Sequence, residues 1–110
     1  MVTIKIEYYE ASNGKSPFVA WLEDLDKPIR YIIKTRLTRV MGGNFGDSHP
    51  VKGALGIAEL RFDIGAGYRI YYGKQGEDIV ILLVGGDKGT QSRDIEKAKR
   101  YWCDYKGKKS

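Results

Sequence analysis

Residues 58–91 read AELRFDIGAGYRIYYGKQGEDIVILLVGGDKGTQ, and this stretch decides the fold. Ala58, Leu60, Phe62 and Ile64 alternate with Glu59, Arg61 and Asp63, the period-2 pattern of a half-buried strand. Gly65-Ala66-Gly67 supplies a turn that tolerates positive φ. Tyr68, Ile70 and Tyr72 then alternate with Arg69, Tyr71 and Gly73 on a return strand. A hairpin closed over Gly65–Gly67 pairs residue 64 with 68, 63 with 69, 62 with 70 and 61 with 71. Leu60, Phe62, Ile64, Tyr68, Ile70 and Tyr72 share one apolar face, and Arg61, Asp63, Arg69 and Tyr71 share the other. Two arginines and a tyrosine fixed on sheet form a candidate phosphate site. The same face also reads as ordinary surface, an Asp63–Arg69 pair with Arg61 over the Tyr71 ring, worth about 0–1 kcal/mol.

After a turn at Gly73–Asp78, Ile79–Val84 (IVILLV) is an unbroken apolar run. Such a strand is covered on both faces and therefore central. It delivers the chain to a loop, Gly85-Gly86-Asp87-Lys88-Gly89-Thr90-Gln91, where rigid sheet aims flexible backbone at a substrate.

The rest of the chain is arranged around these three strands. Thr3–Tyr9 alternates Ile4 and Ile6 with Lys5 and Glu7, a first strand, and Asn13-Gly14 marks a turn. Ser16 is placed to cap a helix opened by Pro17, with Phe18, Trp21, Leu22 and Leu25 on one side. Pro28 opens a second helix, whose apolar stripe is Ile29, Ile32, Ile33, Leu37, Val40 and Met41, and Gly42-Gly43 ends it. Arg30, Lys34, Arg36 and Arg39 lie off that stripe. The short link between the helices predicts an antiparallel hairpin covering a sheet. Asn44–Gly56 reads as a polar loop holding His49 and Lys52. His49, beside a proline, reads as solvent-facing before it reads as an acid–base residue. Ser92 is the expected cap of a last helix, with Asp94 and Glu96 in its first turn. Ile95, Ala98, Trp102 and Tyr105 form its apolar side, and Arg93, Lys97 and Arg100 a basic stripe. Residues 106–110 read as a frayed basic tail.

A chain of 110 residues, 42% hydrophobic and 30% charged, is one globular domain. No apolar run approaches the roughly 20 residues of a membrane span, and residues 1–10 lack a signal-peptide core, so a cytoplasmic protein is expected. Lone Cys103 forms no internal disulfide, and one His with one Cys makes no structural zinc site, so no metal or cofactor is expected. Net charge is +5, with 12 Lys/Arg against 8 Asp/Glu in residues 51–110, which points to an anionic partner and first to nucleic acid.

No nucleophile elbow, phosphate loop or dinucleotide fingerprint is present. What remains is Lys, Arg, Gln and Tyr around phosphate, a set suited to RNA, whose 2′-OH is its own nucleophile. Guanidinium groups of Arg61 and Arg69 would clamp non-bridging oxygens. Lys88 would stabilise the leaving 5′-oxygen or the phosphorane, and Gln91 would hydrogen-bond a base or ribose.

The order strand, two helices, three strands, helix, with ELRFDIGAGYRIYY, IVILLVGGDKGTQ and RDIEKAKRYW, resembles the RelE/ParE toxin superfamily, in its HigB-like branch of addiction module killer proteins. The resemblance runs from Phe18 to Trp102. It implies a small toxin encoded with an antitoxin, its RelE-like members cleaving mRNA in the ribosomal A site without a metal. Arg69 of Gly-Tyr-Arg matches the family's phosphate-binding arginine. Lys88 falls near its second basic residue and Lys52 near its upstream lysine. The tyrosine that often follows that second residue is missing from Ser92-Arg93-Asp94-Ile95, leaving Tyr71 or Tyr101 to replace it.

The sequence thus predicts an α+β domain: a helical hairpin and C-terminal helix on a small antiparallel-rich sheet. The expected function is a ribosome-dependent mRNA endoribonuclease using Arg61, Arg69, Lys88, Gln91 and Tyr71, with Lys52, Arg93, Lys97 and Arg100 holding RNA. Its expected partners are a helix-turn-helix antitoxin, ribosome-bound mRNA, and operator DNA through the antitoxin alone. The rivals are a ParE-like gyrase inhibitor and a nuclease-dead binding module.

Overall fold

The computed structural model describes residues 3–109, with side chains through Lys108. Strand β1 (Lys5–Tyr8) is followed by helices α1 (Pro17–Glu23) and α2 (Lys27–Met41). Strands β2 (Ser48–Pro50), β3 (Ile57–Phe62), β4 (Tyr68–Gln75) and β5 (Ile79–Asp87) come next, then a single 3-10 turn (Lys88–Thr90) and helix α3 (Gln91–Lys109). The five strands form one sheet in the order β1-β5-β4-β3-β2, with β1 parallel to β5 and the other neighbours antiparallel. The α+β reading holds, with one more strand than expected: β2 lies inside the predicted polar loop. Three residues that include His49 and Pro50 carry no alternation to announce it.

The helices cover opposite faces. Phe18, Leu22, Ile33, Leu37 and Val40 pack from α1 and α2 onto Ile4, Leu60, Phe62, Ile70, Tyr72, Val80 and Leu82. On the far face Ala98, Trp102 and Tyr105 of α3 pack onto Ile57, Tyr71, Ile81, Leu83 and Val84. β5 alternates between these two cores, which is why its sequence is apolar without a polar phase. A bulge breaks that alternation: Tyr71 pairs with Val84 but Tyr72 with Leu82, leaving Leu83 the extra residue. Leu83 and Val84 therefore both point toward α3.

Ser16 caps α1 by accepting from the Val19 N–H at 3.2 Å, with Pro17 in the first turn as expected. Ile32 and Met41 do not join the buried stripe of α2; they are 41% and 46% exposed. Successive helical residues diverge by about 100°, so Ile32 cannot share the sheet-facing side with Ile33.

Two expectations about the last segment change. Gly85, Gly86 and Asp87 belong to β5 rather than to a loop. Glycine is needed there because a side chain at 85 would meet the Trp21 indole, and one at 86 the Asp94 carboxylate. Ser92 lies inside α3 and does not cap it; the capping residue is Asp87, at the start of the 3-10 turn that leads into the helix. There its carboxylate accepts from the Gly89 N–H at 2.7 Å, and Thr90 Oγ1 accepts from the Asp87 N–H at 3.2 Å. Helix α3 also continues through Lys109 instead of fraying at 106. Lys106 lies over the Trp102 ring, and Lys108 donates to the Glu10 carbonyl at 3.0 Å. Ser110 lies outside the described residues.

Candidate functional site

The β3–β4 hairpin sets the site, and its register differs from the expected one by two residues. Arg61 pairs with Arg69 and Phe62 with Tyr68, so the loop is Asp63–Gly67. Gly65 and Gly67 take φ of +52° and +76°, and the Gly67 N–H closes the turn on the Ile64 carbonyl at 2.9 Å. An even shift preserves which residues share a face. Leu60, Phe62, Ile70 and Tyr72 therefore stay in the core under α1 and α2, while Arg61, Arg69 and Tyr71 stay on the α3 side.

The shift changes the charge pairing. Two arginines directly opposed repel each other, and Glu59, two residues before Arg61, lies between them with 4% of its surface exposed. Its Oε1 accepts from Arg61 Nε at 3.0 Å and from Nη2 at 2.9 Å, while its Oε2 stands 3.8 Å from Arg69 Nε. The expected Asp63–Arg69 pair does not form; Asp63 is exposed at the loop edge. Arg69 is buried, and its Nε, the Glu59 Oε2 and the Tyr71 hydroxyl have no hydrogen-bond partner among the described residues. Buried polar atoms are normally satisfied. Three unsatisfied ones gather around one arginine beneath the cleft. Arg69 Nε is a donor and Glu59 Oε2 an acceptor, held 3.8 Å apart, so the Arg69 charge is only partly taken up by the carboxylate.

Lys88 arrives from β5. Its aliphatic chain lies across Gly67, where a Cβ would stand 3.0 Å from Lys88 Cγ and Cδ. The turn that carries Lys88 is locked by Asp87 and by Thr90, whose hydroxyl donates to buried Asp94. Arg61, Arg69 and Lys88 thus line one cleft of about 220 Å³ with Asp47, Phe62, Asp63 and Gly67. Behind it, the Arg36 guanidinium of α2 lies 4.5 Å from the centre of the Phe62 ring, a cation–π contact.

The remaining expected site residues are placed differently. Tyr71 has no exposed surface and lies beneath the cleft rather than in it. Burial pushes its phenol far above the usual tyrosine range; Glu59 and Asp94 add to this, while Arg69 and Arg61 oppose it. With no exposed surface, its ring offers no face on which a base in the cleft could stack. Tyr101 stacks on Tyr9 at 4.9 Å and lines no part of the cleft. Gln91 is half-buried at the first residue of α3, and exposed Lys52 sits in the turn before β3; neither lines the cleft. Arg93 and Arg100 are exposed and Lys97 half-buried along α3. At 1.5 Å per residue, Arg100 lies about 14 Å along the axis from Gln91.

Sequence reasoning missed Glu59, Asp47 and Arg36. Asp47 lines the cleft, its carbonyl accepts from the Arg61 N–H at 2.9 Å, and its carboxylate contacts His49 Nε2 at 2.6 Å. The readable signal was Glu59-x-Arg61, a carboxylate and a guanidinium on one strand face. Among the described residues, no three His, Cys, Asp or Glu gather as a metal site. Chemically, the cleft sets three cationic side chains, Arg61, Arg69 and Lys88, around one small volume with two carboxylates, Asp47 and Asp63, at its margin, a donor set of the kind that can bind a phosphate.

Residues 20–102, which contain every cleft residue, match the family described as phage derived protein Gp49-like (DUF891). An uncharacterized protein of Haemophilus influenzae (strain KW20 / Rd) is 47% identical over 83 residues, 74% of this chain and 82% of that protein. Two solved structures share the fold. An arginine double mutant of the E. coli toxin RelE in the free state superposes with a TM-score of 0.64 at 13% identity, covering 89% of this chain and 95% of that one. The isolated E. coli RelE toxin gives 0.58 at 14%, covering 86% and 97%. At such identities the likeness to RelE is one of fold. The sequence match spans both sheet faces and the whole cleft, and the chain belongs to the phage-derived Gp49-like (DUF891) family.

Proposed function

We propose that this protein is the toxin of a type II toxin–antitoxin pair, of the HigB-like kind, and a ribosome-dependent endoribonuclease that cuts mRNA and halts translation. The observation that carries this reading is the convergence of Arg61, Arg69 and Lys88 on one phosphate-sized cleft. The resemblance of the fold to the RelE toxin supports it.

In the proposed reaction the ribose 2′-oxygen attacks the adjacent phosphorus and the P–O5′ bond breaks, leaving a 2′,3′-cyclic phosphate. The 2′-OH proton goes to water, and the departing 5′-oxygen takes one up. Arg69 and Arg61 hold the non-bridging oxygens and oppose the charge that grows on them. Lys88 faces the leaving oxygen. No metal enters this scheme, because the nucleophile belongs to the substrate. In this reading Gln91 hydrogen-bonds a base or ribose outside the cleft, and Arg93, Lys97, Arg100 and Lys52 hold the strand beyond it. The antitoxin, of helix-turn-helix type, keeps the toxin inactive in the cytoplasm and links it to operator DNA.

Primer extension on a reporter mRNA in a purified translation system tests the proposal. Cuts within translated codons, seen only with engaged ribosomes and lost in folded Arg69→Ala, are the expected result. Full growth arrest by folded Arg69→Ala overturns the site. Cuts on naked RNA remove the ribosome from the mechanism. Absence of cuts from folded, growth-arresting protein replaces the nuclease with gyrase inhibition of the ParE kind.

A further inference from the structure

Away from the cleft, β1 is an edge strand, and among the described residues its only strand neighbour is β5. The Lys5 N–H donates to Asp78 at 2.8 Å and the Tyr9 N–H to Leu82 at 2.9 Å, so the odd-numbered residues face β5. The Ile4 N–H points the other way and is taken by the Met41 carbonyl at the end of α2, at 2.8 Å. Strand alternation then turns the N–H and C=O groups of Ile6 and Tyr8 outward, beyond the reach of β5. An open edge of this kind is a template for another strand.

The edge opens onto a second cleft, of about 520 Å³, between β1 and α2. Ile6 and Tyr8 wall one side, and Leu37 and Met41 the other. Tyr8 is 50% and Met41 46% exposed, so α2 leaves the apolar layer of the sheet incompletely covered here. The Tyr8 ring is held over the opening by stacking on Phe18 at 5.7 Å. Among the described residues the charged ones lining this cleft are Lys5, whose ammonium is already held by Glu7 at 3.3 Å, and exposed Lys34. Helix α2 itself carries Lys27, Arg30, Lys34, Arg36 and Arg39 with no Asp or Glu.

These features select the occupant. Free backbone donors and acceptors fit an extended peptide and not a nucleic acid. The apolar walls call for a large side chain at every second residue, and Lys34, on a helix with no carboxylate of its own, calls for carboxylates beside it. A second copy of this chain fits poorly, because each brings a net charge of +5 and its own Lys34 to the interface. We propose that the outer edge of β1 takes an extended, acidic segment of a partner protein as a sixth strand, its alternate apolar side chains seated between β1 and α2. The proposal does not depend on RNA cleavage.

The test titrates the full chain into a fluorescein-labelled octapeptide of alternating Leu and Glu, with alternating Leu and Lys as the control. Amide hydrogen exchange is read at Ile6 and Tyr8. The Leu/Glu peptide is expected to bind at least tenfold tighter than the control, to weaken with salt, and to slow exchange at both amides. Lys34→Glu, an exposed change that leaves the fold intact, is expected to weaken it about fivefold or more and to narrow the preference. Equal binding of the two peptides, no binding, or binding without protection at Ile6 and Tyr8 overturns the proposal. So does concentration-dependent dimerisation that protects these amides, or a short RNA protecting them as well as the acidic peptide.

Discussion

Replacing Glu59 with Gln tests the electrostatic logic of the cleft, because the change keeps shape and one acceptor oxygen while removing the charge between two arginines. The Glu59 side chain is 5% exposed, that of Arg69 11% and that of Arg61 39%. Removing one partner of a buried ion pair costs about 3–5 kcal/mol. The contact with half-exposed Arg61 is screened to about 0–1 kcal/mol, and the Gln oxygen still accepts from it. A net loss of about 2–3 kcal/mol follows, taken mainly from Arg69. Set against the 5–15 kcal/mol typical of a domain, it is readily measured in urea melts followed by Trp21 and Trp102 fluorescence. Inorganic phosphate should return more stability to the variant than to the parent, since it meets guanidinium groups no longer shared with a carboxylate. At ten times its Kd the recovery is about 1.4 kcal/mol. A loss under about 0.5 kcal/mol, or the same phosphate response in both proteins, would refute the role given to Glu59.

Asp87→Ala is expected to cost about 1 kcal/mol and to loosen the turn that carries Lys88, whereas Ser92→Ala should be nearly neutral; thermal unfolding of the two variants checks this. Gly73→Ala places a Cβ 2.6 Å from the Trp102 ring and should destabilise by about 1–3 kcal/mol, with a shifted Trp102 emission. Tyr9 donates to Asp104 at 2.6 Å, and burial first, then that bond, raise its phenol to about 12. Because the folded value lies above the unfolded one of about 10, this stability is complete below pH 10 and lost as pH rises from 10 to 12. Tyr9→Phe should show a shallower alkaline fall in melting temperature, and a neutral-pH loss of about 1 kcal/mol from the missing hydrogen bond. The Asp104 carboxylate is held below its ordinary value by the Tyr9 hydrogen bond and by Lys108, so its contribution is present near neutral pH and lost on acidification through that lowered value. Lys108→Ala should move this acid-side loss to higher pH.

The alternation from Ala58 to Tyr72 and the apolar run from Ile79 to Val84 made three strands legible, and proline and glycine placement made the first two helices legible. The hairpin register was not, because face assignment survives a shift by two and leaves 61 opposite 69 as consistent as 61 opposite 71. That ambiguity put Asp63 where Glu59 stands. The glycines of β5 looked like loop because their purpose, close approach of Trp21 and Asp94, exists only in three dimensions. Arg61, Arg69 and Lys88 were nameable as a set since each sits at the end of a recognisable strand. Tyr71 was misjudged: alternation gives the face of a residue but not whether a helix covers it, and α3 covers that one.

The pairing of β1 with β5 has a consequence for how the protein comes into being. Lys5 pairs with Ile79, so the first strand made must wait for one of the last. The β2–β3–β4 meander is sequence-local and can close early, but loop closure across the whole chain delays the final sheet. On the ribosome, β1 leaves the exit tunnel long before its partner. Arg61 and Arg69 likewise emerge before Lys88, which completes their cleft. A nascent chain therefore lacks the assembled cation cluster until Lys88 has left the tunnel and β5 has joined the sheet.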